Sequence, residues 1–196
     1  PQAHPAAWAT VLAIHEGIPG HFLQSWHWQR RFGGASAPLR FLCVADDVAI
    51  PRGYFGAMLN IEGYAVYAEE RMREAGFHAG RDALFALVAH ALRAARVVGD
   101  VGLNRRTMTR DETAAFVAEQ VGHPEGAARL EAERYMRGPL QAVSYFAGAD
   151  ALGSIARAAR DRGLGDAAFH DWLFSFGPAQ PAAIRAALER GPAPSA

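Results

Sequence analysis

His15 and His21 stand six positions apart in the run His15-Glu16-Gly17-Ile18-Pro19-Gly20-His21, with a carboxylate beside the first of them. Two imidazoles and a carboxylate are typical zinc-binding side chains. Zinc proteases commonly set them out as His-Glu-x-x-His, one helical turn apart on one face. Six positions on an ideal helix mean a rise of about 9 Å and a rotation of about 240°. An unbroken helix could not offer both rings to one ion. Pro-Gly is also out of place inside an amphipathic helix, where proline costs about 3 kcal/mol and glycine about 1. The proline ring clashes with the carbonyl four residues back, here that of His15. The spacing therefore predicts an opened turn that lets His21 take the place of the usual second ligand. The same residues also fit a plainer reading, in which two helices meet at Pro19-Gly20 and the histidines are incidental.

A catalytic zinc site takes a third protein ligand and keeps one open position. The candidate is Glu62, in Asn60-Ile61-Glu62-Gly63-Tyr64, where Gly63 would let this helix approach the first one closely. Glu69 and Glu70 follow about two turns on, near Arg71 and Arg73, and read as a solvated face.

Several blocks, in order, resemble the bacterial family known as domain of unknown function 885, which is similar to zinc peptidases of the gluzincin type. They are HEGIPGHFLQ from His15, EGYAVYAEE from Glu62, the helix from Arg93 to Asn104, Arg134-Tyr135 through Gly148, and Phe169-His170-Asp171-Trp172-Leu173. The resemblance implies a mostly helical, zincin-like fold and a longer protein, of which this chain is the C-terminal, metal-bearing portion. It places zinc on His15, His21 and Glu62, with Glu16 as the catalytic carboxylate. Three positions depart from the family pattern: Phe22 and Asn104 replace histidines, and Leu140 replaces a glycine.

The chemistry so implied is hydrolysis of the amide bonds of short peptides or amino-acid conjugates. Zinc lowers the pKa of a water to about 7; Glu16 takes its proton and delivers it to the leaving amine. Tyr145, or else Tyr135, would help to hold the oxyanion, although a tyrosine in an apolar helix also serves as a core residue. Arg134 could grip a substrate carboxylate or pair with Glu131 or Asp100. Asp100 could receive the outer N–H of a metal-bound histidine or cap its helix. Gln24 would line the cleft. His27, between Trp26 and Trp28, reads as packing or surface, and His170-Asp171 as structural, because neighbouring residues on a helix point apart. His4, His78 and His123 fall in loops, and His90 is a packed position within a helix.

These side chains must be positioned by helices. Periodic segments run over Ala6–Arg30, from Pro38 to before Pro51, Tyr54–Ala75, Arg81–Val98, Pro124–Met136 and Pro139–Arg162. Others run from Asp166 to Gly177-Pro178 and onward from Pro181. Thr109-Arg110-Asp111-Glu112 has the spacing of a capping box and starts one more. No strand alternation or hairpin signal stands out. The expected architecture is all-α, about nine helices in a single domain over 1–190, with 191–196 a frayed tail.

Composition agrees. The chain has 196 residues, 51% of them hydrophobic, enough for one real core. Its 20 cations, all arginine, balance 20 carboxylates, which argues against a polyanion binder. Cys43 is the only cysteine, so an internal disulfide is excluded. No run is long and apolar enough to span a bilayer. The first residues do not read as a signal peptide, which leaves bacterial cytoplasm and periplasm both open. Pro1 suggests a piece of a longer protein, whose missing half or a partner chain would complete the cleft. Two other readings compete with the zinc hydrolase. One is a helical metal-binding domain without hydrolytic activity, either a degenerate relative or half of a two-chain assembly. The other is a helical interaction module with no metal.

Overall fold

A computed structural model describes residues 6–36, 40, 43 and 57–191. The described residues form helices and turns without strands: α1 (Ala6–Glu16), α2 (His21–Phe32), α3 (Met58–Glu74), α4 (Gly80–Asn104), α5 (Arg110–Val121), α6 (Glu125–Arg137), α7 (Val143–Asp161), α8 (Asp166–Phe174) and α9 (Pro181–Arg190). The all-α expectation holds. The helix expected between Pro38 and Pro51, the chain before Ala6 and the tail beyond Gly191 lie outside the described residues.

The central packing is that of α3 against α7. Two glycines set its distance. A Cβ on Gly63 would lie 2.4 Å from the Cα of Gly148, and a Cβ on Gly148 would lie 2.0 Å from the carbonyl oxygen of Leu59. Backbone meets backbone here, and any side chain would push the helices apart. Gly63 thus does serve a close approach, but its partner is α7 and not the first helix.

Two apolar clusters flank this pair. One joins Trp28 of α2, Tyr64 and Tyr67 of α3, Leu152 and Ile155 of α7, Trp172 of α8 and Ile184 of α9. The other gathers Leu92 of α4, Val117 of α5 and Ala128, Ala132 and Tyr135 of α6. At the start of α5 the capping box forms as its spacing predicts. Thr109 Oγ1 accepts from the Glu112 N–H, and Glu112 Oε2 accepts from the Thr109 N–H at 2.7 Å.

Candidate metal centre

The expected first helix is two helices. α1 ends at Glu16 and α2 starts at His21, with Gly17–Gly20 turning between them and a cis peptide bond at Ile18-Pro19. The opened turn is therefore a full break. Gly20 N–H donates to the Ile14 carbonyl at 3.0 Å, and the Tyr64 hydroxyl of α3 donates to the Pro19 carbonyl at 3.0 Å. Only glycine fits at position 20, because a Cβ there would lie 2.0 Å from the His15 carbonyl oxygen. The break thus brings the end of one helix against the start of the next, and with them the two histidines. Their ring centroids lie 4.8 Å apart, edge to face.

Glu62 of α3 meets both rings. Its Oε2 lies 3.5 Å from His15 Nε2 and 3.5 Å from His21 Nε2. One ligand atom from each of the three residues falls within 4.8 Å of the others, and among the described residues this is the group able to hold a metal ion. His15 is buried, and His21 and Glu62 are half-buried.

Glu69 stands behind His15. It is buried, 8% exposed, and the reading of it as part of a solvated face is overturned. Its Oε1 accepts from His15 Nδ1 at 2.7 Å and from Arg93 Nη2, also at 2.7 Å. An ionised carboxylate can only accept, so Nδ1 carries the proton and the lone pair of neutral His15 is on Nε2, towards Glu62 and His21. A signal for this was present in the spacing. Glu69 lies seven positions after Glu62, on the same helical face.

The charges bear on one another. Burial by itself would lower the pKa of His15, but hydrogen bonds to Glu62 and Glu69 outweigh it and lift the group to about 9. Burial would raise Glu62, yet the two histidines bring it down to about 2. Without an ion, a proton on His15 holds the cluster together.

The remaining candidates divide. Tyr145 of α7 stacks on His15, with centroids 5.9 Å apart and planes 20° from parallel. Its hydroxyl oxygen accepts from Arg134 Nη2 at 3.1 Å and from Gln141 Nε2 at 3.2 Å. Among the described residues nothing accepts its own proton. Glu16 is exposed at the last position of α1, without a hydrogen bond or ion pair among the described residues. Tyr135 is fully buried and donates to Glu131 at 3.1 Å, so it belongs to the α4–α6 core and not to the centre. Gln24 is also buried. It donates to Asn60, whose amide in turn holds the Gly177 and Ala179 carbonyls, so it braces α2 and does not line a cleft. Asp100 accepts from the Asn104 side chain at 2.7 Å and from the Leu140 N–H at 3.1 Å. Those bonds secure the end of α4 and the turn before α7, and the place behind the histidine belongs to Glu69.

The other described histidines behave mostly as packing residues. His27 stacks on Phe174, with centroids 4.4 Å apart, and His170 shares a hydrogen bond with Tyr67 at 3.2 Å. His90 instead pairs with Glu70 at 3.1 Å.

Comparison with known proteins adds a family and a fold. A family model described as "Bacterial protein of unknown function (DUF885)" matches residues 1–188. Two solved structures are similar. A "putative lipoprotein" from Colwellia psychrerythraea has a TM-score of 0.77 and 30% identity over 95% of this chain and 30% of its own. A "putative lipoprotein of unknown function" from Shewanella oneidensis has a TM-score of 0.74 and 21% identity over 93% of this chain and 31% of its own. The chain thus spans about a third of the length of these two proteins. No curated protein matches it. Among the described residues no helix is long and apolar enough to cross a membrane.

Proposed function

The chain belongs to the DUF885 family of bacterial proteins, and from the geometry of its His-Glu cluster we propose that it carries the metal centre of a zinc-dependent hydrolase acting on amide bonds. The substrates are short peptides or amino-acid conjugates. The observation that carries this reading is the meeting of His15 Nε2, His21 Nε2 and Glu62 Oε2, with Glu69 behind His15. Around a tetrahedral ion with bonds of about 2.0–2.1 Å, neighbouring ligand atoms lie about 3.3 Å apart. The two 3.5 Å separations to Glu62 suit that arrangement, and the separation between the histidines is within 4.8 Å. Two imidazole nitrogens and one carboxylate oxygen would hold the ion, a donor set that in catalytic sites is joined by water.

When bound, zinc supplies a Lewis acid that acidifies a water to a pKa of about 7 and polarises a carbonyl. The chain's own residues do the rest. The Glu16 carboxylate accepts a proton from the attacking water and passes it to the leaving amine nitrogen. Tyr145 Oη already accepts two hydrogen bonds, so its proton is free to be donated to the developing oxyanion. Glu69 keeps His15 in the tautomer that presents Nε2.

The test is zinc content by mass spectrometry, with hydrolysis of a short-peptide panel. We expect one zinc per chain. His21→Ala should lose both metal and activity, whereas Glu16→Gln should keep the metal and lose at least about 100-fold in rate. A folded protein that takes up no zinc after supplementation would sink the proposal. A zinc-loaded protein that cleaves no amide would leave the metal-binding domain without hydrolytic activity as the better reading.

A further inference from the structure

Three arginines approach the centre from α4 and α6, and their partners differ. Arg93 is buried and gives Nη2 to Glu69 at 2.7 Å. Arg96 grips Glu131 with two bonds, Nε to Oε2 at 2.9 Å and Nη2 to Oε1 at 2.7 Å. Glu131 Oε2 also accepts from the Tyr135 hydroxyl. Both of these carboxylates are committed, and their arginines are neutralised. Arg134 is not. Its Nη2 donates to two neutral atoms, Gln141 Oε1 at 2.5 Å and Tyr145 Oη at 3.1 Å. Glu131, already gripped by Arg96, is no nearer to it than 3.9 Å, and the side chain is 36% exposed.

We infer that Arg134 is the receptor for a free carboxylate of the substrate, so that the enzyme acts at or next to the C-terminus of a peptide or acyl-amino acid; this rests on the proposed hydrolase. A guanidinium has five N–H donors in a fixed fork that matches a carboxylate. Here neutral partners use only one of its nitrogens and hold the fork in place. The position suits the reaction. Arg134 lies over the Tyr145 ring at 5.3 Å, as does the already paired Arg96, and His15 stacks on the same ring at 5.9 Å. One residue of extended chain spans about 3.3–3.6 Å. A carboxylate on Arg134 therefore sets the scissile carbonyl one or two residues away, beside the metal ligands and the Tyr145 hydroxyl. Peptides continuing beyond that point carry a neutral amide where the surplus cation lies.

The experiment compares glycyl-L-phenylalanine with its C-terminal amide. Binding of each is measured by calorimetry to the Glu16→Gln protein, with and without zinc, and turnover of longer matched pairs is measured in the wild type. We expect the free acid to bind at least tenfold more tightly than the amide, and Arg134→Ala to abolish that difference while zinc content stays at one per chain. Arg134→Lys should restore part of it. In turnover, Arg134→Ala should act mainly through KM, and on free acids alone. Equal binding of acid and amide by a folded protein would overturn the inference whether or not any amide is cleaved. If the acid preference and its loss in Arg134→Ala persist in a protein that binds no zinc, the carboxylate receptor stands and the hydrolase reading falls.

Discussion

His15 is held between two carboxylates, one on each ring nitrogen, and its protonation links the centre to pH. Its folded pKa of about 9 lies above the ordinary 6.5. In the metal-free protein the stabilisation from this group is complete below pH 6.5 and is lost as pH rises through about 9. Glu62 runs the other way. Held at about 2 against an ordinary 4.5, it contributes above pH 4.5 and ceases to as pH falls through 2. Melting temperature without metal should thus decline between pH 6.5 and 9. Zinc must displace the His15 proton, so the rise in melting temperature on adding zinc should grow across the same interval. Melts from pH 5 to 9 with zinc and with a chelator check both, and a zinc-induced rise that shrinks with pH would contradict the assignment. Glu69 is tested separately. Glu69→Gln should weaken zinc binding about 10–100-fold, whereas Glu70→Gln, whose ion pair among the described residues is with His90 and not with His15, should leave it unchanged in a competitive zinc titration.

At the scale of the elements, the proposed metal centre depends on contacts that exclude side chains. α3 carries Glu62 and Glu69, and its position is set by the backbone contact of Gly63 with Gly148. Overpacking a core costs about 1–3 kcal/mol and occasionally more. Gly148→Ala should lie at the upper end of that range or beyond it in urea denaturation, since the obstacle is a backbone carbonyl that cannot swing aside. Gly20→Ala is a finer probe. Its clash is with the Ile14 and His15 carbonyls at the end of α1, so it should cost zinc affinity well before it costs helix content. Circular dichroism with a zinc titration separates the two. Native helix content together with native zinc affinity in Gly20→Ala would show that the tight turn does not position His21.

For the whole molecule, the uncovered apolar side chains matter. Ile18, Phe22 and Trp26 are 64%, 60% and 44% exposed and recur every four residues along the turn and α2. Leu84 and Leu87 are likewise exposed on α4. With a formal net charge of zero, little long-range repulsion opposes association. We predict that this chain alone self-associates at micromolar concentrations and that Phe22→Glu with Trp26→Glu reduces the effect. Light scattering behind size exclusion measures it, and a monodisperse monomer for the unmodified chain would refute it. The similar solved structures are about three times as long, and the same faces offer the remainder of such a protein a place to pack.

The residues of the centre were largely legible in sequence because their chemistry is local. A carboxylate next to a histidine, a Pro-Gly pair that no helix tolerates and a capping box at Thr109 each announce themselves within a few positions. The helices follow from periodicity for the same reason. What spacing could not supply was the partner of each buried polar group. Glu69 reads as solvated because two arginines lie near it in sequence, yet the fold buries it and pairs it with His15 and Arg93. Tyr135, Gln24 and Asp100 have the residue types of a site, but their hydrogen bonds are spent on the core and the loops. Gly63 promises a close contact without naming the helix it meets. Ligand types and element types are properties of short stretches of chain. Burial and pairing are settled only when distant helices pack, because a polar group removed from water takes whichever partner the packing brings to it.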